Sequence, residues 1–419
     1  MDESVNEFSI KPTERNISSG FVGTIICWTF GLAACAFAIA FSFAGSFQTK
    51  AVGMIFLLAG AVICGWARTS SPKWKLRLSA MCISGGLILL LSEGLLRMLT
   101  PYPVNLQSNM VPHPQLGYVL DPEMADVDVN GFRNAEVPQE VDIVTIGDSH
   151  TQGFNVTSDQ SWPGQLARQL DQSVYNMGVG GYGPLQYKTL VINALKMKPR
   201  HVVLGLYLGN DLADAVQGIG KRHTENAVDN SFRHSIKYHT AVGSMATQLI
   251  RKSAIGRPAG FGINHPQNPT YVAARRIESL AKSLDLSDVA IAAALKQTAE
   301  MLVAANQQCL QQGTTLTVML IPTRESVYFE NQKNRATELS GTLELVANRE
   351  LETRTWLASV LTNQKVAFVD ILPAMAAALD AKPEVYPSHD EGHPLAGGYA
   401  TYAASVSQKL SQVTRTSTN

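Results

Sequence analysis

From Val141 onward, short apolar runs alternate with longer amphipathic stretches, and this alternation is what most restricts the fold. The runs Val141–Ile146, Val174–Tyr175, Val202–Tyr207, Leu316–Ile321 and Val366–Val369 have the length and β-branched content of buried strands. Between them, helices are predicted over about Ser161–Leu170, Pro184–Lys196, Ser287–Gln311 (closed by Gly313) and Leu343–Leu361, with a last one after Pro394. Strand and helix in strict alternation predict an α/β fold, a doubly wound parallel sheet with helices on both faces. In such a sheet a ligand binds beyond the carboxyl ends of the strands.

The first run ends in Gly147-Asp148-Ser149-His150-Thr151. A glycine breaks the strand there and releases a serine hydroxyl onto a turn at the crevice. Gly, Asp and Ser are also ordinary turn residues, so this triplet decides nothing by itself. Three further stretches follow strands in order: Asn176-Met177-Gly178-Val179-Gly180-Gly181, Gly209-Asn210-Asp211, and Asp390-Glu391-Gly392-His393. Each could be a plain connection, and only their joint order points to chemistry.

Together the four stretches resemble the SGNH (GDSL-like) hydrolase superfamily, over most of the chain after about Leu116. The resemblance implies a five-stranded, flavodoxin-like sheet of order 2-1-3-4-5 and a serine hydrolase acting on ester bonds. It assigns Ser149 as nucleophile, His393 as base and Asp390, three residues before the histidine, as the acid that orients it. A serine hydroxyl needs such a base, and the base needs a carboxylate to hold its ring. The resemblance also assigns the oxyanion hole to the N–H of Ser149, the N–H of Gly181 and the side-chain amide of Asn210. Gly178, Gly180 and Gly183 lie beside Gly181, so the choice of glycine stays open. Leu208 stands where the family has a glycine before Gly209-Asn210-Asp211, which departs from the pattern but keeps the donor.

No cofactor or metal is expected. His389, Asp390, Glu391 and His393 form a cluster that could read as a zinc site, but Pro387, Gly392 and Pro394 break the helix that would place both histidines on one face. His150 is too close along the chain to serve Ser149 as base and is expected to line the site or support the helix start. Asp148, Asp211 and Asp214 are expected to be structural.

The chain before Val141 has a different character. Phe21–Phe43, Ala51–Ala67 and Leu78–Leu91 are apolar runs, read as three transmembrane helices. Residues 1–20 form a polar N-terminal tail, 21–99 the anchor and 100–140 a proline-rich extracytoplasmic linker that packs along the edge of a hydrolase domain at 141–419. Arg68, Lys73, Lys75 and Arg77 fall between the second and third runs, which puts that link and the N-terminus in the cytoplasm and the hydrolase domain outside an inner membrane. Cys27, Cys35, Cys64 and Cys82 lie in these runs, and Cys309 is alone in the remainder. An insertion at about 217–286 interrupts the alternation. It is read as a cap over the site or, through its basic amphipathic stretch Ser235–Lys252, as an interfacial helix.

The formal charge of zero gives no reason to expect a nucleic acid partner. The expected partners are the membrane, a carbohydrate or other ester substrate, and polysaccharide-biosynthesis or acetyl-donor membrane proteins. The expected activity is hydrolysis of an ester, with O-acetyl groups on a polysaccharide or glycan as first choice. Transfer of the acetyl group to an exported polysaccharide is the alternative, since Leu320–Tyr328 is similar to segments of polysaccharide-acetylating relatives. A non-catalytic scaffold subunit is the third reading, against which stands the presence of every triad residue the family requires.

Overall fold

The computed structural model describes Ile25, Thr29 and residues 71–99, 110–333 except 125 and 218–258, and 341–417. The chain divides into two compact units, one comprising Met1–Val104 with Asn230–Ala246 and the other Asn105–Asp229 with Thr247–Asn419. In the first, helix α1 runs over Pro72–Leu99 and includes the third predicted membrane run. Among the described residues no helix is long and apolar enough to cross a membrane, so the three-helix anchor finds no support there. The runs Phe21–Phe43 and Ala51–Ala67 lie outside the described residues apart from Ile25 and Thr29.

The second unit begins with an antiparallel hairpin, β1 (Met110–His113) and β2 (Gly117–Leu120). It belongs to the fold more fully than a linker would: Leu116, Tyr118, Leu120 and Phe132 are all buried in the main core. Five parallel strands follow in the chain, with their helices between them. They start with β3 (Ile143–Ile146), the short helix α2 (Ser149–Gln152), α3 (Trp162–Leu170) and β4 (Val174–Asn176). Next come α4 (Pro184–Leu195), β5 (His201–Tyr207) and α5 (Asp211–Gln217).

The described part of the insertion is a second hairpin, β6 (Gly260–Ile263) with β7 (Thr270–Ala273), running into α6 (Ala274–Ser283). The basic stretch Ser235–Lys252 lies outside the described residues. The alternation then resumes with α7 (Val289–Gln311), β8 (Thr315–Ile321), α8 (Arg324–Gln332) and α9 (Gly341–Asn363). It closes with β9 (Ala367–Asp370), α10 (Leu372–Ala381) and α11 (Ala396–Ser417).

The sheet order is β4-β3-β5-β8-β9, which in chain order of its strands is 2-1-3-4-5, as the resemblance implies. All four pairings are parallel. Strands covered on both faces need apolar residues on both, and β3, β5 and β8 carry an almost unbroken buried set from Ile143 to Ile321. Local signals set the helix ends. The Ser161 hydroxyl accepts the N–H of Gly164 to start α3, which closes at Asp171 in the left-handed region. Asp288 caps α7 in the same manner.

Candidate active site

Ser149 sits where β3 gives way to α2. The turn is tight: a Cβ on Gly147 would stand 2.1 Å from the Thr151 hydroxyl, so only glycine fits. Asp148 caps the turn, its Oδ1 accepting the N–H of His150 at 2.9 Å, and burial pushes its carboxyl up to about 6. That fixes Asp148 in a structural place. Ser149 itself is buried except for a small opening.

The loop between α10 and α11 brings His393 to it. Ser149 Oγ lies 2.7 Å from His393 Nε2, and His393 Nδ1 lies 2.5 Å from Glu391 Oε1. With the carboxylate on Nδ1, the ring proton belongs on that nitrogen and Nε2 is left to accept from the serine. Two rings from the segment that follows the nucleophile pack against the imidazole, Phe154 at 4.8 Å and His150 at 4.7 Å between centroids. His150 in turn lies on Tyr207 and meets the Tyr402 hydroxyl at Nδ1. Burial beside His393 holds it well below the ordinary histidine range, so it packs as a neutral ring, in line with the supporting place expected of it.

Asp390 is a correction to the expected triad. The carboxylate against Nδ1 is that of Glu391, whereas Asp390 Oδ1 lies 3.4 Å from Arg324 Nη2. The physical reason is Arg324, fully buried, which also donates from Nη1 to the carbonyls of His389 and Glu391 at 3.2 and 3.0 Å. The loop is thereby turned so that Asp390 faces the guanidinium and Glu391 the imidazole. Burial would raise Glu391, but His393, its hydrogen bonds and the nearby Arg276 hold it well below the usual carboxylate range.

The glycine stretch passes beside the serine: a Cβ on Gly180 would stand 3.5 Å from that of Ser149. Three of its glycine N–H groups already have acceptors. Gly178 donates to Asn176 Oδ1, Gly180 to Gln152 Oε1 and Gly183 to Gln186 Oε1. Gly181, in the left-handed region at φ 81°, donates to no acceptor among the described residues. Asn210, in the turn between β5 and α5, directs one amide hydrogen to Asp214 Oδ2 at 2.6 Å, which leaves the other for a substrate.

The chain matches a family model. The GDSL-like Lipase/Acylhydrolase family model aligns with residues 145–401, well over half of the chain and including Ser149 and His393. The chain belongs to this family. It is accordingly a GDSL-like hydrolase acting on esters. No curated protein is detectably similar to it. Among solved structures, this hydrolase is similar to a lipolytic protein of the G-D-S-L family from Desulfitobacterium hafniense, 14% identical with a TM-score of 0.35, covering 64% of this chain and 98% of that one. An extracellular lipase from Streptomyces rimosus is 14% identical with a TM-score of 0.38 and coverage of 64% and 99%. An acetyl-xylooligosaccharide esterase from Geobacillus is 11% identical with a TM-score of 0.34 and coverage of 64% and 93%.

Four polar residues of this GDSL-like site escape the sequence reading. Glu391 is passed over because family spacing favours Asp390. Arg324 and Glu325 open helix α8, which was not expected, although Thr323 ahead of Ser326 is a capping signal: the Thr323 hydroxyl accepts the Ser326 N–H at 3.1 Å. Arg276 comes from α6 in the insertion and donates from Nε to Glu325 Oε1 at 2.9 Å. Nothing in the residues around it announces that role.

Proposed function

We propose that the hydrolase works through an acyl-enzyme on Ser149, with His393 as base and Glu391 as the carboxylate that orients it. The observation that carries this reading is the continuous line from Ser149 Oγ through the imidazole to Glu391, 2.7 and 2.5 Å long. Ser149 Oγ attacks the ester carbonyl as its proton passes to Nε2. The carbonyl oxygen becomes an anion and is met by the N–H groups of Ser149 and Gly181 and the free amide hydrogen of Asn210. Collapse expels the alcohol, which takes the proton from Nε2. Water then repeats the sequence on the acyl-serine, releasing the acid.

The substrate we propose is an O-acetyl group on a polysaccharide or glycan, met outside the cytoplasmic membrane by a chain anchored through its N-terminal apolar runs. Support for the location comes from the distribution of Arg68, Lys73, Lys75 and Arg77. A row of exposed apolar side chains on α1, including Ile83, Leu87, Leu90 and Leu91, is consistent with it. The test is to incubate purified protein, wild type and Ser149→Ala, with a chromogenic acetyl ester in the presence of a soluble oligosaccharide. Serine-dependent release ending in free acetate is the expected result, acetylated oligosaccharide would make the enzyme a transferase, and release independent of Ser149 would overturn the mechanism.

A further inference from the structure

Buried polar residues cluster beneath the catalytic loop, among them Arg324, Glu325 and Thr270. Arg324 is fully buried and uses all of its guanidinium. Nε and Nη2 donate to Glu325 Oε1 at 3.2 and 2.8 Å, and Nη1 reaches Thr270 Oγ1 at 3.1 Å in addition to the His389 and Glu391 carbonyls. A buried guanidinium is costly unless paired and fully hydrogen-bonded, and here both conditions are met. Its partners include three successive residues of the catalytic loop, His389, Asp390 and Glu391.

The support continues on both sides. Arg276 shares Glu325 with Arg324 and fills the space under Gly392, where a Cβ would stand 1.8 Å from Arg276 Nη2. Thr270, on the strand preceding α6, donates to the Pro387 carbonyl at 2.9 Å. The start of α8 is itself fastened: Glu350 Oε2 accepts from the Thr323 N–H at 3.0 Å and from the hydroxyls of Thr323 and Ser326.

We propose that Arg324 is a positioning residue for the hydrolysis, holding residues 389–391 so that Glu391 rather than Asp390 backs His393. This rests on the acyl-enzyme reading above. The geometry gives a reason that a generic stabilising contact does not. Both carboxylates are within three residues of His393, and the choice between them is made by which one the guanidinium occupies. A lysine keeps the charge but presents no planar fork, so it cannot span two carbonyls, Asp390 and Glu325 at once.

The test uses the full chain as Arg324→Lys, Glu391→Gln and Asp390→Asn, together with the charge-balanced pair Arg324→Gln with Glu325→Gln in case the lysine variant does not fold. Each is followed by thermal unfolding, by fluorophosphonate labelling of Ser149, and by the pH profile of kcat/KM on a chromogenic acetyl ester. In folded Arg324→Lys, kcat should fall by about a hundredfold with KM little changed, the scale of an ångström-size misplacement of a catalytic group. Its acid limb should move to lower pH, in the direction of Glu391→Gln, because a base that loses its carboxylate partner is easier to deprotonate. Asp390→Asn should keep most of its activity. An acid limb that stays in place in both Arg324 variants would sink the proposal, as would an active Glu391→Gln beside an inactive Asp390→Asn. A wild type that is neither labelled nor active would remove the acyl-enzyme reading and this inference with it, whereas an active, labelled wild type with indifferent Arg324 variants removes the inference alone.

Discussion

At the scale of single residues, the site depends on one contact that geometry decides and spacing does not. Ser149 and His393 were legible from the ordered stretches after the strands, and the structure brings them together, whereas the glycine of the 178–183 stretch was left open. The carboxylate was not legible, because the choice between Asp390 and Glu391 is made by Arg324, 66 residues away from Asp390. Replacing Ser149 with Ala should abolish turnover while leaving the unfolding temperature nearly unchanged, as checked by esterase assay beside differential scanning calorimetry. Glu391→Gln leaves the geometry but offers the wrong partner to Nδ1, and the loss in kcat should be about 10³–10⁴-fold by analogy with the same change in a serine triad. Steady-state kinetics decides that, and a loss below about tenfold would count against Glu391. Cys309 makes a quieter case. Burial lifts its thiol to about 11, so mass-spectrometric iodoacetamide labelling at Cys309 should be negligible in the native protein and appear on unfolding.

At the scale of elements, the sheet and the helices α3, α4, α7, α9 and α11 could be read from periodicity; α2, α5 and α6 could not, nor could α8 and α10. The last two are short helices directly after a strand, and α8 is polar: Arg324, Glu325 and Ser326 are buried against other polar groups, which reverses the pattern that marks an amphipathic helix. The glycine stretch shows how closely elements approach at the site. A Cβ on Gly178 would stand 2.5 Å from the backbone nitrogen of Gln152 and 2.7 Å from the Thr151 carbonyl carbon. Neither can yield as a flexible side chain would. Gly178→Ala should therefore cost on the order of 2–4 kcal/mol, the range of severe overpacking, and urea unfolding followed by circular dichroism measures it.

At the scale of the whole molecule, stability carries a pH dependence set by buried acids of opposite behaviour. Arg276 and Arg324 overcome the effect of burial and hold Glu325 down at about 2, so its contribution is present above the ordinary glutamate range and lost as pH falls through about 2. Glu350 is pushed the other way, from 4.5 to about 7, chiefly by burial. Between those values the native chain keeps a proton that the unfolded chain has released, so this contribution is full below 4.5 and lost as pH rises through 7. Glu350→Gln has no such proton. Relative to wild type it should gain on the order of 2–3 kcal/mol between pH 4.5 and 8, visible as converging urea midpoints, and a gap independent of pH would refute the assignment. Composition and apolar runs do not report such effects, because they arise only where distant segments meet.

The hydroxyl of Ser149 and the ring of His393 touch although 244 residues separate them along the chain. A ribosome therefore makes the nucleophile long before it makes the base. Every nascent or prematurely terminated product that stops short of the loop after α10 carries a serine with nothing to activate it. The ester-cleaving chemistry is thus silent throughout synthesis and switches on only when the late-emerging loop docks against the early-emerging strand.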